Sequence, residues 1–397
     1  MVSVRGGLGA VPGVRCSGVA AGIKKRKLDL ALIDLGGEHV CAQVLTTNEV
    51  KAAPLLVSDE HIARSGDAMR AIVVNAGCAN ACTGERGLED ARETAREAAA
   101  LLGIEPAQVV VASTGVIGVP LPMERVSQGL KAAARGLRDG TEAALGAAEA
   151  IMTTDHVKKL EAYAYYENGA ERRYVVGGIA KGSGMIAPNL ATMLAFITTN
   201  ASCSRASLQS ALSEAVDDTF NMISVDGDMS TNDAVYAFAR PGTGEASLGL
   251  KAALRGVCRQ LAIDMVKDGE GASKLLTLNV TGARDDLQAR TVARAVVNSN
   301  LVKTALYGED PNWGRIIAAA GSVGAGVRDG AWSITLGDQL WVDRGAVEVL
   351  SESEAHSALE EKAIVVGLDL GIGDGSATAW GCDLSLEYVR INAHYRT

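Results

Sequence analysis

Apolar residues recur three and four apart at Leu88, Ala91, Ala95, Ala98 and Leu102, and Gly103 follows where a left-handed residue often closes a helix. The spacing predicts an amphipathic helix over 88–102. Ser204 stands where a side-chain oxygen can cap a second helix carrying Leu208, Ala211, Leu212, Ala215 and Val216. The same period predicts helices over 250–265 and 287–305. Short runs rich in Val, Ile and Thr predict strands at 71–74, 109–112, 174–179, 193–199 and 364–370. Helix and strand signals alternate along the chain, the pattern of a mixed α/β protein. No repeat of 20–50 residues and no low-complexity linker interrupts it. Pro241-Gly242-Thr243-Gly244 reads as a turn, and 282–286 as a boundary that opens a smaller carboxy-terminal subdomain from about residue 285.

Composition narrows the class. With 397 residues, 48% of them hydrophobic, the chain can bury a large core in two or three domains. Only 4% is aromatic and 45 residues are glycine, so that core is expected to be built from Ala, Val, Leu and Ile between tight turns. The net charge of −9 argues against a nucleic-acid partner; the longest basic block, Lys24-Lys25-Arg26-Lys27, is expected at a solvated turn or strand edge. No run of 18 apolar residues predicts a membrane span, and residues 1–18 lack the apolar core of a secretion signal. The seven scattered cysteines fit reduced thiols in a cytoplasm. Cys78 and Cys82 could share one helical turn, but with no second Cys or His pair nearby no zinc site is expected. The five histidines are dispersed, which leaves a Ser-His-Asp triad unsupported. Asp226, Asp228, Ser230 and Asn232 alternate like calcium-loop ligands, yet Thr231 and Ala237 replace the required glycine and glutamate. Gly371, Gly373 and Gly375 approach a dinucleotide fingerprint with no helix pattern after them.

The segment 177–194, GGIAKGSGMIAPNLATML, places Thr192 after Ala191 at the head of an apolar run. Taken locally, Thr192 is a β-branched residue opening the strand over 193–199. Taken chemically, it is a self-cleavage site. Cutting the Ala191–Thr192 bond would leave a residue with a hydroxyl nucleophile and a free α-amine, whose ordinary pKa of about 7.7–8.0 suits it to act as base near neutral pH. Before the cut that nitrogen is an amide and cannot do so.

Seven segments weigh between these readings: NAGCANACTG at 75–84, ASTGVIG at 112–118, MTTD at 152–155, AKGSGMIAPNLATML at 180–194, SVDGDMSTND at 224–233, GEDPNWGRI at 308–316, and the stretch 369–397. Together they resemble the ornithine acetyltransferases (glutamate N-acetyltransferases) of arginine biosynthesis. Cys78 departs from that family, which more often has a polar residue there. The resemblance implies an α/β fold of the layered αββα sandwich type, with stacked mixed sheets and a smaller carboxy-terminal domain. It implies self-cleavage into fragments 1–191 and 192–397, and two copies of each in a heterotetramer. It implies Thr192 as nucleophile, Thr114 and Gly115 as oxyanion donors, and Thr154, Lys181, Glu270, Asn392 and Thr397 as substrate contacts. Lys181 suits the α-carboxylate, in a glycine-rich loop, and Glu270 the side-chain ammonium of ornithine. The reaction implied is ping-pong transfer of acetyl from N-acetylornithine to glutamate in the cytoplasm, without metal, nucleotide or flavin; some family members also accept acetyl-CoA. The 226–232 stretch is then expected as a turn near the site. An N-terminal-nucleophile amidase or aminopeptidase shares the nucleophile and stays open as an alternative.

Overall fold

The structure, a computed structural model, describes residues 1–397 except 26, 168–172, 187–192, 345–346 and 395–397. Its strands in chain order are β1 (Val2–Ser3), β2 (Arg15–Val19), β3 (Leu30–Leu45), β4 (Met69–Cys78), β5 (Val109–Val116), β6 (Lys159–Tyr166), β7 (Arg173–Lys181), β8 (Leu194–Cys203), β9 (Ile223–Ser224), β10 (Ala234–Pro241), β11 (Leu275–Ala283), β12 (Ser333–Leu336), β13 (Gln339–Asp343), β14 (Val347–Glu348), β15 (Ala363–Asp369) and β16 (Gly375–Cys382). The α-helices are α1 (Ala53–Ser65), α2 (Gly84–Leu102), α3 (Met123–Gly136), α4 (Thr141–Ala150), α5 (Arg205–Asp217), α6 (Leu248–Lys267), α7 (Asp286–Val297), α8 (Asn300–Tyr307), α9 (Trp313–Gly321), α10 (Glu352–Leu359) and α11 (Leu386–His394).

The strands form two mixed sheets, as expected of this α/β class. The first runs β1-β6-β7-β8-β10-β3-β4-β5 with β2 paired to β3; the second runs β14-β13-β12-β15-β11-β16-β9. In the first, β8 with β10 and β4 with β5 are parallel and the other pairs antiparallel. Leu30 to Ile33 are buried without alternation because both faces of β3 are covered there. One face packs with α4 around Ala143, Ala144, Phe196 and Tyr236. The opposite face shares a core with α5 and α6, and that core continues into α7 and the second sheet through Leu276, Leu278 and Val280. Helices α2 and α3 cover β4 and β5 around Ala95, Val111 and Leu130.

Local expectations hold where one segment decides them. Gly103 closes α2 at φ 67°, and the Ser204 hydroxyl accepts the Ser207 N–H at the start of α5. The helix expected over 287–305 is two helices. The Ser299 hydroxyl accepts the Val302 N–H and starts α8 just after Asn298 ends α7, so a capping side chain breaks a continuous apolar period. Cys78 and Cys82 share no helical turn either: Cys78 ends β4, and Cys82 lies in the following loop at φ 56°.

For function the decisive pairing is β7 with β8. They are antiparallel neighbours, with Lys181 opposite Leu194. The chain leaves the sheet at Lys181 and re-enters it beside the point of departure, so a cut between 191 and 192 would fall between two strands that stay paired in one sheet.

Candidate active site

Lys181 ends β7 as a strand residue, not a loop residue, and is 1% exposed. Its Nζ points across the mouth of the sheet to Thr114 Oγ1 at 3.4 Å. Burial lowers its pKa, opposed mainly by the charge of Asp155. A lysine held this way gains from any anion that enters beside it. Asp155 is itself fully packed in. Burial raises its pKa, but Lys181, Lys159 and the Gly182 N–H outweigh that and hold it well below the carboxylate range. Asp155 Oδ1 accepts from Lys159 Nζ and from Gly182 N, each at 2.8 Å, and Lys159 also reaches Asp268 at 2.6 Å. The charges that anchor Lys181 are therefore internal and already paired.

Thr114 and Gly115 lie at the end of β5, which continues as strand to Val116 instead of turning after residue 112. Gly115 adopts φ 128°, and a Cβ there would lie 2.4 Å from the Gly77 carbonyl carbon, so only glycine fits against β4. Three motifs far apart in sequence meet around this pair. Asn232 Nδ2 donates to Ala79 O at 2.7 Å and to Ser113 O at 2.8 Å. Ser113 Oγ donates to Asn75 Oδ1 at 2.5 Å, and Asn75 Nδ2 to Cys78 O at 2.8 Å. These bonds tie 75–79, 113–115 and 230–232 into one rigid unit.

The other side of the pocket is built from the chain after Lys181 and from α11. Thr154 Oγ1 pairs with Ser183 Oγ at 2.7 Å, and the Glu270 N–H donates to Ser183 O at 2.7 Å. Glu270 is buried. Its Oε2 accepts Asn392 Nδ2 at 2.8 Å, and a Cβ on Gly184 would fall 2.5 Å from its carboxyl carbon, so that glycine is what admits the carboxylate. Thr114, Gly115, Thr154, Lys181, Glu270 and Asn392 thus line one pocket of about 90 Å³. Ala191, Thr192 and Thr397 lie outside the described residues.

Several side chains at or near the site had no role assigned from the sequence. Asp226 accepts the Met185 N–H at 2.5 Å and the Ile186 N–H at 2.8 Å, and Tyr388 Oη donates to it at 3.3 Å. Burial raises the pKa of Asp226. The 226–232 stretch is thus the turn expected near the site, with the carboxylate bracing the segment before residue 187. Lys24 is half-buried, not a solvated block: its Nζ donates to Met152 O at 2.8 Å, and burial lowers its pKa to about 8. The unassigned Asp in MTTD, Asp155, was the readable signal for the Lys181 anchor.

The assembled geometry brings a buried lysine, Lys181, a buried carboxylate, Glu270, and the Thr114 hydroxyl with Gly115 beside it to one pocket. A profile of the ArgJ family matches residues 15–397. This chain belongs to the ArgJ family. It is 48% identical to the arginine biosynthesis bifunctional protein ArgJ of Caldanaerobacter subterraneus subsp. tengcongensis, over 97% of each chain. It is 47% identical to that of Symbiobacterium thermophilum, over 99% of each. Among solved structures, ornithine acetyltransferase of Mycobacterium tuberculosis complexed with ornithine matches at 39% identity, covering 48% of this chain and 99% of that one with a TM-score of 0.44. ArgJ membership makes the chain an acetyltransferase of arginine biosynthesis. Among the described residues no helix is long and apolar enough to cross a membrane.

Proposed function

We propose that this ArgJ protein cuts itself between Ala191 and Thr192 and then moves acetyl from N-acetylornithine to glutamate through an ester on Thr192. The observation that carries the reading is the convergence of Thr114, Gly115, Thr154, Lys181, Glu270 and Asn392 on one pocket, beside the paired ends of β7 and β8 that bracket residue 192. In the first half-reaction the Thr192 hydroxyl attacks the acetyl carbonyl. Its own α-amine takes the proton, directly or through water. The oxyanion is met by Thr114 and Gly115, a contribution of about 2.7–4 kcal/mol per donor in comparable sites. Lys181 receives the substrate α-carboxylate, Glu270 the side-chain ammonium of ornithine, and Thr154, Asn392 and Thr397 complete the contacts. Ornithine departs, and the amine of glutamate then attacks the acetyl ester. Acetyl-CoA serves as a second donor, in keeping with the bifunctional name of the relatives. The working unit is two copies each of fragments 1–191 and 192–397, with a subdomain from about residue 285, in the cytoplasm. No metal or organic cofactor takes part.

Denaturing electrophoresis and mass measurement of purified protein test the cut: fragments 1–191 and 192–397 are expected, and Thr192→Ala is expected to stay a single inactive chain. Active wild-type protein that runs as one uncut chain would sink the mechanism. Adding glutamate separates transfer from hydrolysis. Transfer forms N-acetylglutamate in step with ornithine, whereas an amidase releases acetate whether or not glutamate is present.

A further inference from the structure

Lys24 belongs to a basic block, but its side chain runs inward along the end of β4 and is half-buried. The loop before it is folded on the buried Asp29: Asp29 Oδ1 accepts the Ala21 N–H at 2.6 Å, and Oδ2 accepts the Lys24 N–H at 2.8 Å. Asp29 is pinned in turn, because its carbonyl accepts the Ala76 N–H at 2.8 Å. From this anchor the stem of Lys24 passes so close to Gly77 that a Cβ there would lie 2.9 Å from Lys24 Cγ. Gly77 is the partner of Gly115 across β4 and β5. The stem therefore lies against the strand end that backs Gly115.

The ammonium ends on Met152, whose carbonyl accepts Lys24 Nζ at 2.8 Å across 128 residues of chain. Met152 begins the turn that carries Thr153 and Thr154 to the pocket wall. The far end of that turn is held by other groups: Asp155 Oδ2 accepts the Thr153 N–H at 3.0 Å, and Asp268 accepts the His156 and Val157 N–H groups. Lys24 thus joins two walls of one pocket. A charged donor makes a bond roughly twice as strong as a neutral one. Keeping the charge here costs free energy, since burial lowers the pKa of Lys24 to about 8; Asp29 and Asp155 oppose that fall, and Lys27 and Lys181 add to it.

We propose that Lys24 is a positioning residue for acetyl transfer: its ammonium holds the Met152 carbonyl and so sets Thr154 against the substrate, without touching the substrate itself. The inference rests on the reading of Thr154 as a substrate contact. When Lys24 loses its proton, the neutral amine donates a weaker bond and the turn is held less firmly. One turn serves both half-reactions, so KM for N-acetylornithine and KM for glutamate depend on Lys24 together. The dependence of kcat is small, because Thr114 and Gly115 are fixed separately through Asn75, Ser113 and Asn232.

Steady-state kinetics of the purified enzyme with each substrate test the proposal, and KM does not depend on the fraction of active chains. Lys24→Met keeps the stem against Gly77 and removes the bond; KM for both substrates is expected to rise roughly tenfold at pH 7, the effect of losing a hydrogen bond from a charged group. A KM within twofold of wild type for both overturns the proposal, whatever happens to Tm. Lys24→Arg keeps a cation that stays charged, so the ratio of wild-type KM to Lys24→Arg KM is expected to climb as pH rises through about 8. A ratio that stays constant from pH 7 to pH 9.5 overturns it. Should Lys24→Met misfold by circular dichroism, that ratio decides alone. Thr154→Val separates the two layers of the argument. In its background Lys24→Met is expected to add less than about twofold, because both act through one contact, and a full tenfold on top of Thr154→Val overturns the positioning role. A wild-type KM for Thr154→Val itself removes the reading of Thr154 as a substrate contact, and the role of Lys24 with it.

Discussion

Replacing Lys181 by methionine separates a substrate-binding lysine from a structural one. The side chain is 1% exposed and its Nζ is 3.4 Å from Thr114 Oγ1, so it faces the pocket that the oxyanion pair lines. A charge-assisted bond to a substrate carboxylate contributes about 1.5–3 kcal/mol. At about 1.4 kcal/mol per tenfold, Lys181→Met should raise KM for both N-acetylornithine and glutamate by roughly 10- to 150-fold, with kcat changed much less. The fold should tolerate it, because methionine has similar length and Asp155 keeps Lys159 at 2.8 Å and the Gly182 N–H. Stability should even gain at neutral pH. The folded pKa of Lys181 lies below its ordinary 10.5, so between those values the unfolded chain binds the proton more tightly, and wild-type stability rises with pH across that window. The variant should lose that rise. Steady-state kinetics with each substrate varied separately, and thermal melts at pH 7 and pH 9, give the two readouts. A KM within twofold of wild type for both substrates, together with a large drop in Tm, would refute the substrate role and leave Lys181 as an ion-pair element of the fold.

Glu270→Gln should raise KM for N-acetylornithine about tenfold while leaving KM for glutamate nearly unchanged, since only the former presents a side-chain ammonium; equal effects on both substrates would remove that assignment. Gly115→Ala should lower the yield of folded protein and, in what folds, cut kcat by about 100-fold or more, because a Cβ at φ 128° meets the Gly77 backbone at 2.4 Å and displaces an oxyanion donor. Circular dichroism and turnover read both effects, and wild-type turnover by folded variant would contradict the role. His39 is buried against the Gly37 carbonyl, and burial lowers its pKa from 6.5 to about 4. Its contribution is fully present above pH 6.5 and is lost as pH falls towards 4, by up to about 1.4 kcal/mol per pH unit. Urea denaturation across that range should show the slope in wild type and a shallower one in His39→Asn; identical slopes would assign the acid sensitivity elsewhere.

What one segment decides was legible in the chain alone. The three-four period over 88–102 with Gly103 behind it, the capping oxygen of Ser204, and the strand entering after Thr192 depend on neighbours a few residues away, and each recurs in the structure. The family, and with it the chemistry expected of Thr192, could be read from motifs spread between Asn75 and Thr397. Where a capping side chain competes with an apolar period, as at Ser299, periodicity alone misjudged the outcome. The tertiary structure alone decided what surrounds each charge. Lys181 and Glu270 look like exposed polar residues in sequence, and both are buried by strands and helices from remote parts of the chain. Lys24 sits in a basic block, yet its ammonium is held by Met152. Asn232 binds carbonyls at Ala79 and Ser113, more than a hundred residues distant. Backbone preference is local and is written in residue spacing, whereas burial, the pKa shift that follows from it, and the meeting of donors around one pocket depend on which remote segments fold against each other.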